Sequence, residues 1–217
     1  MSNVIIRVFT EADRACVRHI CCDAASRGEP IEQLFFDREM AADLLTKYYT
    51  DYEPRSTFVA ICEGKVVGYV QGCLDNRRYG LVMFWLLVPK TFLKGFRRGV
   101  FFRKEIWRFA LGMARNWRRL FLWRKESFHS HQGHMHIAVA KYFRARHLGH
   151  ELIAVFLNYA KEQGVTELTA SVHSGNTAAR GFFESFGFQD RGHYPMVMAG
   201  KGGLERYESI FYVKTIN

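Results

Sequence analysis

The stretch His134–Leu152 constrains the fold of this chain more than any other part of it. A strand-like pattern over His134–Ala140 is followed by a basic turn. Helical spacing begins at about Arg146 and continues to Gln163, and Gly164 ends the predicted helix. A further strand is predicted at Glu167–His173. This strand–helix–strand order predicts a crossover at the centre of the fold and a mixed layer of class α/β, of the α+β type.

Shorter predicted elements flank this central unit. A T-x-x-D pattern at Thr10 resembles a capping box and starts the first helix, and Glu63–Gly64 joins two strands in a hairpin. Neither an internal repeat nor a linker interrupts the order, so residues 1–217 are expected to form one domain. The remaining predictions are strands at Val4–Phe9, Thr57–Cys62, Lys65–Gly72, His193–Met198 and Tyr207–Val213, and helices at Asp37–Tyr48 and Asn176–Phe186.

The composition predicts a folded protein with reduced thiols. Hydrophobic residues make up 48% of the 217 positions, which is enough apolar surface to offset chain entropy and argues against a disordered or collagen-like class. The five cysteines form no C-x-x-C pair, so a disulfide framework or zinc ribbon is not expected. Met1–Phe9 lacks a signal-peptide pattern, and the longest apolar run, Leu81–Val88, is too short to cross a bilayer. We therefore expect a cytoplasmic location.

The positive charge of the chain is concentrated in one segment. Residues 90–126 contain twelve Lys or Arg and two Glu, so their net charge of +10 equals that of the whole chain. Aromatic and basic residues interleave here, which indicates an amphipathic helix or helix pair over 91–124. We interpret 75–132 as a basic insertion between the third and fourth core strands; its candidate break points are Gly95, Gly99 and Gly112.

Three interpretations of this insertion stay open. It covers the substrate cleft and selects an acidic or amphiphilic substrate, or it packs on the domain or on a second copy in a homodimer. The third interpretation is contact with an anionic membrane through 91–124, which would place the protein at the inner membrane face. Nucleic-acid binding is the least favoured, because no recognition motif accompanies the charge. The acidic stretch Asp23–Glu53 has two interpretations of its own, a solvated helix surface or an attractive field for a cationic amine.

The turn Phe143–Gly149 is a candidate anion site. Backbone N–H groups at the start of the following helix have no intrahelical acceptor, and the positive end of the helix dipole adds to their attraction for phosphate. Gly149 would let the backbone and the helix approach closely, and the side chains of Arg144 and Arg146 would add positive charge for the same anion.

This stretch resembles motif A of the GNAT N-acetyltransferase superfamily, which reads V-x-P-x-y-R-g-x-G-x-G-x-x-L. Lys141 stands where that motif has proline, and His147 stands where it has its first glycine. A second block, Asn176–Phe188, resembles the downstream N-x-x-A-x-x-f-Y-e-k-x-G-F pattern, with Phe183 in place of the tyrosine. The sequence is also similar to bacterial acetyltransferases that carry H-x-H before motif A. The motif A matches are Val139, Phe143, Arg144, Leu148, Gly149 and Leu152.

The resemblance implies a GNAT fold, a mixed and mostly antiparallel seven-stranded sheet flanked by helices. It implies acetyl-CoA as co-substrate, with the pantetheine in a gap between the strand His134–Ala140 and the strand Glu167–His173. The activity implied is acetyl transfer to a primary amine of a small molecule, by direct attack in a ternary complex without a metal. The implied cofactor-binding residues are Ile137, Val139, Arg144, Ala145, Arg146, His147, Leu148, Gly149, His150, Asn176 and Phe183.

Two histidines are the candidates for moving the amine proton. His134 and His136 form H-x-H just before motif A, and a similar pair in arylalkylamine N-acetyltransferases relays the proton through water. The pair is shifted by one residue here, so a β-bulge would be needed to reproduce that arrangement. The alternative is a pair of hydrogen-bonded strand histidines. A metal site that also uses His129 and His131 is disfavoured, because no familiar ligand spacing completes it.

The leaving thiolate lacks its usual proton donor, because Phe183 has no hydroxyl. Tyr194 or Ser185, water, or the product ammonium would have to replace the missing tyrosine. The alternative function is a non-catalytic module that keeps the fold and binds acyl-CoA or a membrane without turnover.

Overall fold

A computed structural model describes the chain over residues 4–26, 28–33, 35, 37–108, 110–112, 114, 132–144, 147–200 and 203–216. The described strands form one seven-stranded sheet in the order β1-β2-β3-β4-β5-β7-β6. Neighbours are antiparallel except β4 and β5, which run parallel, so the mixed and mostly antiparallel sheet expected from the sequence is confirmed. The strands are β1 Val4–Val8, β2 Thr57–Cys62, β3 Lys65–Cys73, β4 Gln132–Val139, β5 Glu167–His173, β6 Gln189–Gly200 and β7 Gly203–Thr215.

Helices cover both faces of this sheet. Leu152 and Phe156 of α5 pack on Val70 and Met135 at one face, whereas Val17 of α1 packs on the opposite face. A π-helical turn at Met83–Leu87 makes α3 and α4 one continuous helical stretch. The helices are α1 Arg14–Ala24, α2 Arg38–Asp51, α3 Asn76–Val82, α4 Val88–Arg97, α5 Leu148–Glu162 and α6 Thr177–Ser185.

Polar caps fix where several of these helices start. The predicted capping box is present at Thr10, whose backbone N–H donates to Oδ2 of Asp13 at 2.8 Å. Asp37 accepts from the N–H of Met40 at the start of α2, and Asp75 caps α3 in the same way. Each carboxylate satisfies N–H groups that the first helical turn leaves without an acceptor.

The insertion lies between β3 and β4, as the sequence predicts, and part of it packs on the domain. Val100 and Ile106 join a buried cluster with Met40 of α2. Nζ of Lys94 lies 2.8 Å from Oδ2 of Asp43, and Arg98 lies 3.2 Å from Asp37. The packing interpretation therefore holds for these residues, while residues 115–131 lie outside the described part of the chain.

These ion pairs also change the interpretation of the acidic stretch. Its carboxylates contact basic side chains of the protein itself: Asp43 pairs with Arg18 as well as Lys94, and Arg38 pairs with both Asp23 and Glu32. The stretch is thus largely neutralised within the fold, which leaves less field to attract a cationic amine.

All five cysteines are free thiols, four of them buried. Cys16 on α1 is exposed. Within the described ranges, every helix is too short or too polar to cross a bilayer.

We predict that Gly133→Ala lowers the free energy of unfolding by about 1–3 kcal/mol. A Cβ at this position would lie 2.3 Å from the carbonyl oxygen of Cys73, so β3 and β4 would have to move apart. Gly181→Ala is the matched control, because a Cβ there would have no atom within 4 Å and the residue is exposed on α6. The control should gain about 0.5–1 kcal/mol from helix propensity. Urea unfolding of both variants checks the difference, and equal stabilities would contradict the packing described.

Candidate active site

The site is built around a gap between β4 and β5. The two parallel strands pair only at Gln132–His134 with Glu167–Thr169, and β4 continues to Val139 without β5 beside it. On its other side β4 stays paired with β3 in unbroken register from His134 to Val139. The gap therefore opens on one edge of β4, where the sequence analysis expected it.

The alternation of the β4 backbone decides which groups face the gap. The N–H of Ala140 donates to the carbonyl of Val67 at 2.8 Å, so Ala138 and His136, in step with Ala140, also direct their backbone groups to β3. Ile137 and Val139 direct theirs to the gap. The backbone N–H and C=O groups of these two residues make no hydrogen bond to β5. They border the gap in which the family resemblance predicts the pantetheine.

A cavity of about 450 Å³ occupies the gap and reaches both faces of the sheet. Its walls are mainly apolar. On the side of α6 it is lined by Asn176, Phe182 and Phe183, and on the side of α1 and α2 by Cys21, Leu45 and His136. Asn176 caps α6 by accepting from the N–H of Ala179 at 3.1 Å, which fixes its position at the wall.

The basic turn leads to the start of α5 at one end of this gap. Within the described part of the chain, the N–H groups of Leu148 and Gly149 have no acceptor, whereas those of His150 and Glu151 donate to the carbonyl of His147 at 2.9 and 3.2 Å. Among the described residues of the turn, the N–H groups of His147, Leu148 and Gly149 are thus free donors, whereas the N–H of His150, which was also expected to contribute, is taken. Ala145 and Arg146, which the sequence also predicts to bind cofactor, lie outside the described residues.

His147 adopts the left-handed conformation, with φ 58°. This conformation ends the turn and delays the start of α5 to Leu148 instead of Arg146. A non-glycine residue there costs about 1–2 kcal/mol because its Cβ crowds the following carbonyl.

Gly149 packs closely against α6. A Cβ on it would lie 3.2 Å from Cε2 of Phe182, so a side chain would push on the wall of the cavity. His150 stands beside the same ring, with 5.3 Å between the centroids.

The side chain of Arg144 does not extend toward the turn as predicted. Its Nε donates to the carbonyl of Val139 at 3.0 Å and its Nη1 donates to the carbonyl of Gly28 at 2.9 Å. The reason is local: the carbonyl of Val139 lacks a partner on β5 and offers a nearer acceptor than a bound anion would. Arg144 therefore ties the end of β4 to the loop after α1.

His134 is hydrogen-bonded at both ring nitrogens. The hydroxyl of Tyr49 donates to Nε2 at 2.6 Å, and Nδ1–H donates to Oδ1 of Asn76 at 2.5 Å. Tyr79 stands edge-on to the ring, with 4.5 Å between centroids. Burial lowers the pKa of His134 to about 3, with a smaller contribution from His136. This arrangement matches the hydrogen-bonded strand histidine that the sequence left as an alternative.

His136 has a different environment on the same face of the sheet. Its side chain lines the cavity and is exposed there. Burial lowers its pKa to about 4, so the ring is neutral at pH 7. The rings of Tyr49 and His134 lie at 5.8 and 5.9 Å from it. Of the two histidines, His136 is the one open to a ligand, and the unbroken β3–β4 register shows that no bulge places it there.

The hydroxyl candidates for the leaving thiolate lie elsewhere. Tyr194 is on β6, the outermost strand, with its ring 6.3 Å from that of Phe211, and it does not line the cavity. Ser185 donates its hydroxyl proton to the carbonyl of Phe182. Phe183 is buried against Phe188, as a wall of the cavity.

Sequence reasoning missed Tyr49, Asn76 and Tyr79, which hold His134. Tyr49 lies on α2, 85 residues before His134, and Asn76 lies with Tyr79 on α3, 58 residues before His134. The only signal in the sequence was the aromatic content of those helices, which does not distinguish a site from a core. No group of three His, Cys, Asp or Glu within the described residues could hold a metal ion; His129 and His131 lie outside that range.

Residues 25–188 match the acetyltransferase (GNAT) family, well over half of the chain. The chain belongs to this family. The family and fold predicted from the motifs are thereby confirmed, and acetyl-CoA is the donor that GNAT acetyltransferases use. A comparison with curated proteins found no match.

Solved structures share the fold at low sequence identity. SsHAT is 20% identical, with a TM-score of 0.69 and 99% of each chain covered. Ribosomal-protein-alanine N-acetyltransferase from Brucella melitensis is 23% identical, with a TM-score of 0.60, over 97% of this chain and 99% of that one. The protein yncA from Salmonella typhimurium, solved with its cofactor acetyl-CoA, is 17% identical, with a TM-score of 0.61, over 100% and 95% of the two chains. At these identities the likeness concerns the fold.

We predict that His147→Gly stabilises the protein by up to about 1 kcal/mol and tightens coenzyme A binding, because it removes the left-handed strain and clears the approach to the free N–H groups. His150→Gly is the matched control. His150 is the third residue of α5, so a glycine there should lower the free energy of unfolding by about 1 kcal/mol. Thermal unfolding and coenzyme A titration measure both effects. Weaker binding by His147→Gly would contradict the strain assigned to this turn.

We also predict that acid destabilises the protein through His134. Its pKa is about 3 in the folded state and near 6.5 when unfolded, so below pH 6.5 the unfolded chain binds more protons. The contribution of His134 to the free energy of unfolding is fully present above pH 6.5 and is lost as the pH falls toward 3. Urea unfolding between pH 7 and pH 4.5 should therefore show a smaller loss of stability for His134→Asn than for the wild type. Identical pH slopes would contradict the neutral, buried ring.

Proposed function

We propose that this protein transfers the acetyl group of acetyl-CoA to a primary amine of a small molecule, by direct attack of the amine in a ternary complex. The observation that supports it most is the gap between β4 and β5, which contains backbone groups without strand partners and has His136 in its wall. The structure around the gap divides into a cofactor side and an acceptor side.

On the cofactor side the residues fit the pantetheine arm and the diphosphate. The N–H and C=O groups of Ile137 and the N–H of Val139 face the gap and would pair with the amides of the arm, much as a strand would. The N–H groups of Leu148 and Gly149 would bind the diphosphate at the positive end of α5. The apolar wall at Phe182 suits the methylene and thioester part of the donor.

On the acceptor side, His136 would take the proton. An alkylammonium has a pKa of roughly 10, so it must first lose one proton to water, and the neutral amine then attacks the carbonyl carbon. After the attack the nitrogen carries a positive charge and its remaining protons are far more acidic. Neutral His136 can accept the proton at that stage, a step that typically contributes about 10² to 10⁴ in rate. Alignment of the amine with the thioester supplies the larger part, with effective molarities of order 10⁵ M or more.

His134 has a positioning role in this proposal. Both of its nitrogens are occupied by Tyr49 and Asn76, so it cannot exchange a proton with substrate without breaking a buried hydrogen bond. It instead holds Tyr49, whose ring borders His136.

The departing thiolate would gain its proton from water in the cavity or from protonated His136. Phe183 supplies none, and Tyr194, which pairs on β6 with the cavity-lining Ser209 of β7, does not itself line the cavity. A thiolate is a stable leaving group near neutral pH, so a tyrosine is helpful to turnover but not obligatory.

Two observations favour the small-molecule acceptor over a long polypeptide. Tyr79 of α3 covers His134 at the end of β4, so the insertion limits the acceptor face on that side. The cavity itself, about 450 Å³, has room for little beyond the donor arm and a compact amine. The Brucella melitensis relative acts on a ribosomal protein's alanine according to its name, which makes a peptide N-terminus the acceptor to compare with.

The alternative is a module that binds acyl-CoA without turnover. Phe183 and His147 favour it, because each replaces a residue that helps catalysis or cofactor binding in the family motif. The cavity-facing ring of His136 favours catalysis. A cytoplasmic location, expected from the sequence, suits both.

We predict that His136→Ala lowers the turnover number by about 10² to 10⁴ while coenzyme A binding is retained. The assay is release of free thiol from acetyl-CoA with a panel of primary amines and one peptide with a free N-terminus. His193→Ala is the matched control, because His193 is an exposed histidine on β6, held by Asp190 and Glu208 away from the cavity. Binding of coenzyme A with no thiol release for any acceptor would overturn catalysis in favour of the binding module. Release that is unchanged in His136→Ala would overturn the role of His136.

A further inference from the structure

The most unusual surface of the described chain is on the insertion. Along the helical stretch from α3 to α4, Leu87, Thr91 and Gly95 recur every four residues and are buried against the domain. The opposite side of the same stretch is apolar and exposed. Its exposed stripe, spaced by four, four, three and four residues, consists of Leu81, Trp85, Pro89, Phe92 and Phe96.

Aromatic side chains beyond α4 extend this stripe into one patch. The ring of Phe101 lies 5.5 Å from that of Phe92, and Trp107 donates its indole N–H to the carbonyl of Phe101. Trp85 is 69% exposed, Phe102 84% and Trp107 66%, values that oppose the usual burial of such residues. An exposed apolar patch of this kind marks an interaction site.

Cations predominate around the patch, where Glu105 is the one carboxylate among residues 76–107. Residues 76–104 contain eight Lys or Arg and neither Asp nor Glu. Lys94 and Arg98 are neutralised by α2, but Lys90 and Arg97 on the flank of α4 are exposed and have no carboxylate partner among the described residues. The partner of this surface must therefore accept apolar side chains and supply negative charge.

We propose that this patch docks on an anionic lipid bilayer. Aromatic and aliphatic side chains would enter the boundary between headgroups and acyl chains, while Lys90 and Arg97 stay at the level of the headgroups. Lipid fits better than a second copy of the chain, because a two-fold contact would bring the same cations face to face. The proposal does not depend on the acetyl-transfer reaction.

The chain contains its own reporter for this contact. All four of its tryptophans, Trp85, Trp107, Trp117 and Trp123, lie in the insertion, so intrinsic fluorescence reports on this region alone. The experiment mixes the full-length protein with vesicles of phosphatidylcholine alone or with roughly 30% phosphatidylglycerol, at about 0.1 M and about 1 M salt. We expect sedimentation with the anionic vesicles and a blue shift of the tryptophan emission, both weakened by high salt.

Two surface variants and a control separate the contributions. Trp85→Ser combined with Phe96→Ser should reduce the bound fraction at least about tenfold by removing apolar contacts, and Lys90→Glu with Arg97→Glu should do so by reversing charge. Ile5→Ser is the matched control, because Ile5 is an exposed apolar residue on β1, outside the patch, and its variant should bind like the wild type. Circular dichroism and thermal unfolding confirm that each variant is folded.

Several results would overturn the proposal. Equal binding to neutral and anionic vesicles, or none at low salt, would remove the anionic bilayer as the partner. Concentration-dependent dimerisation abolished by Trp85→Ser with Phe96→Ser, without vesicle binding, would assign the patch to a second copy. Salt-sensitive binding of RNA in place of vesicles would assign it to nucleic acid.

Discussion

The parting of β4 from β5 is the constraint on which the rest of the structure depends. Two parallel strands share three residue pairs and then separate, which leaves backbone donors and acceptors inside the molecule without strand partners. Such groups cost free energy unless something else satisfies them. Arg144 satisfies the carbonyl of Val139, and the groups that remain define a cavity whose chemistry suits an amide-bearing ligand.

The opening gives two histidines of β4, His134 and His136, different environments. The ring of His136 lines the cavity and is exposed there, so it is accessible to a molecule bound in the gap. His134 lies two residues before His136 on the same face of β4. Its environment is closed, and Tyr49 and Asn76 hydrogen-bond both of its ring nitrogens. The same face of one strand thus holds one imidazole that lines the cavity and one that is hydrogen-bonded at both nitrogens, separated by a single residue.

The sequence predicted the fold well because its signals are local. Strand patterns, the capping box at Thr10 and the glycine-containing turns follow from neighbouring residues, and the family motifs placed the gap. Interactions between distant residues could not be predicted: Arg144 binds the carbonyl of Gly28, 116 residues away. Of the glycines proposed to break the insertion, Gly99 ends α4 with a positive φ, whereas Gly95 lies inside the helix because its missing side chain lets α4 approach Met40.

The most direct test of the central claim is amide hydrogen exchange measured by NMR with and without coenzyme A. The amides of Ile137 and Val139 face the gap, whereas those of Ala138 and Ala140 face β3, so neighbouring residues act as internal controls. We expect coenzyme A to slow exchange at Ile137 and Val139 and to leave exchange at the two alanines unchanged. Saturating coenzyme A with no added protection at Ile137 and Val139 would contradict it.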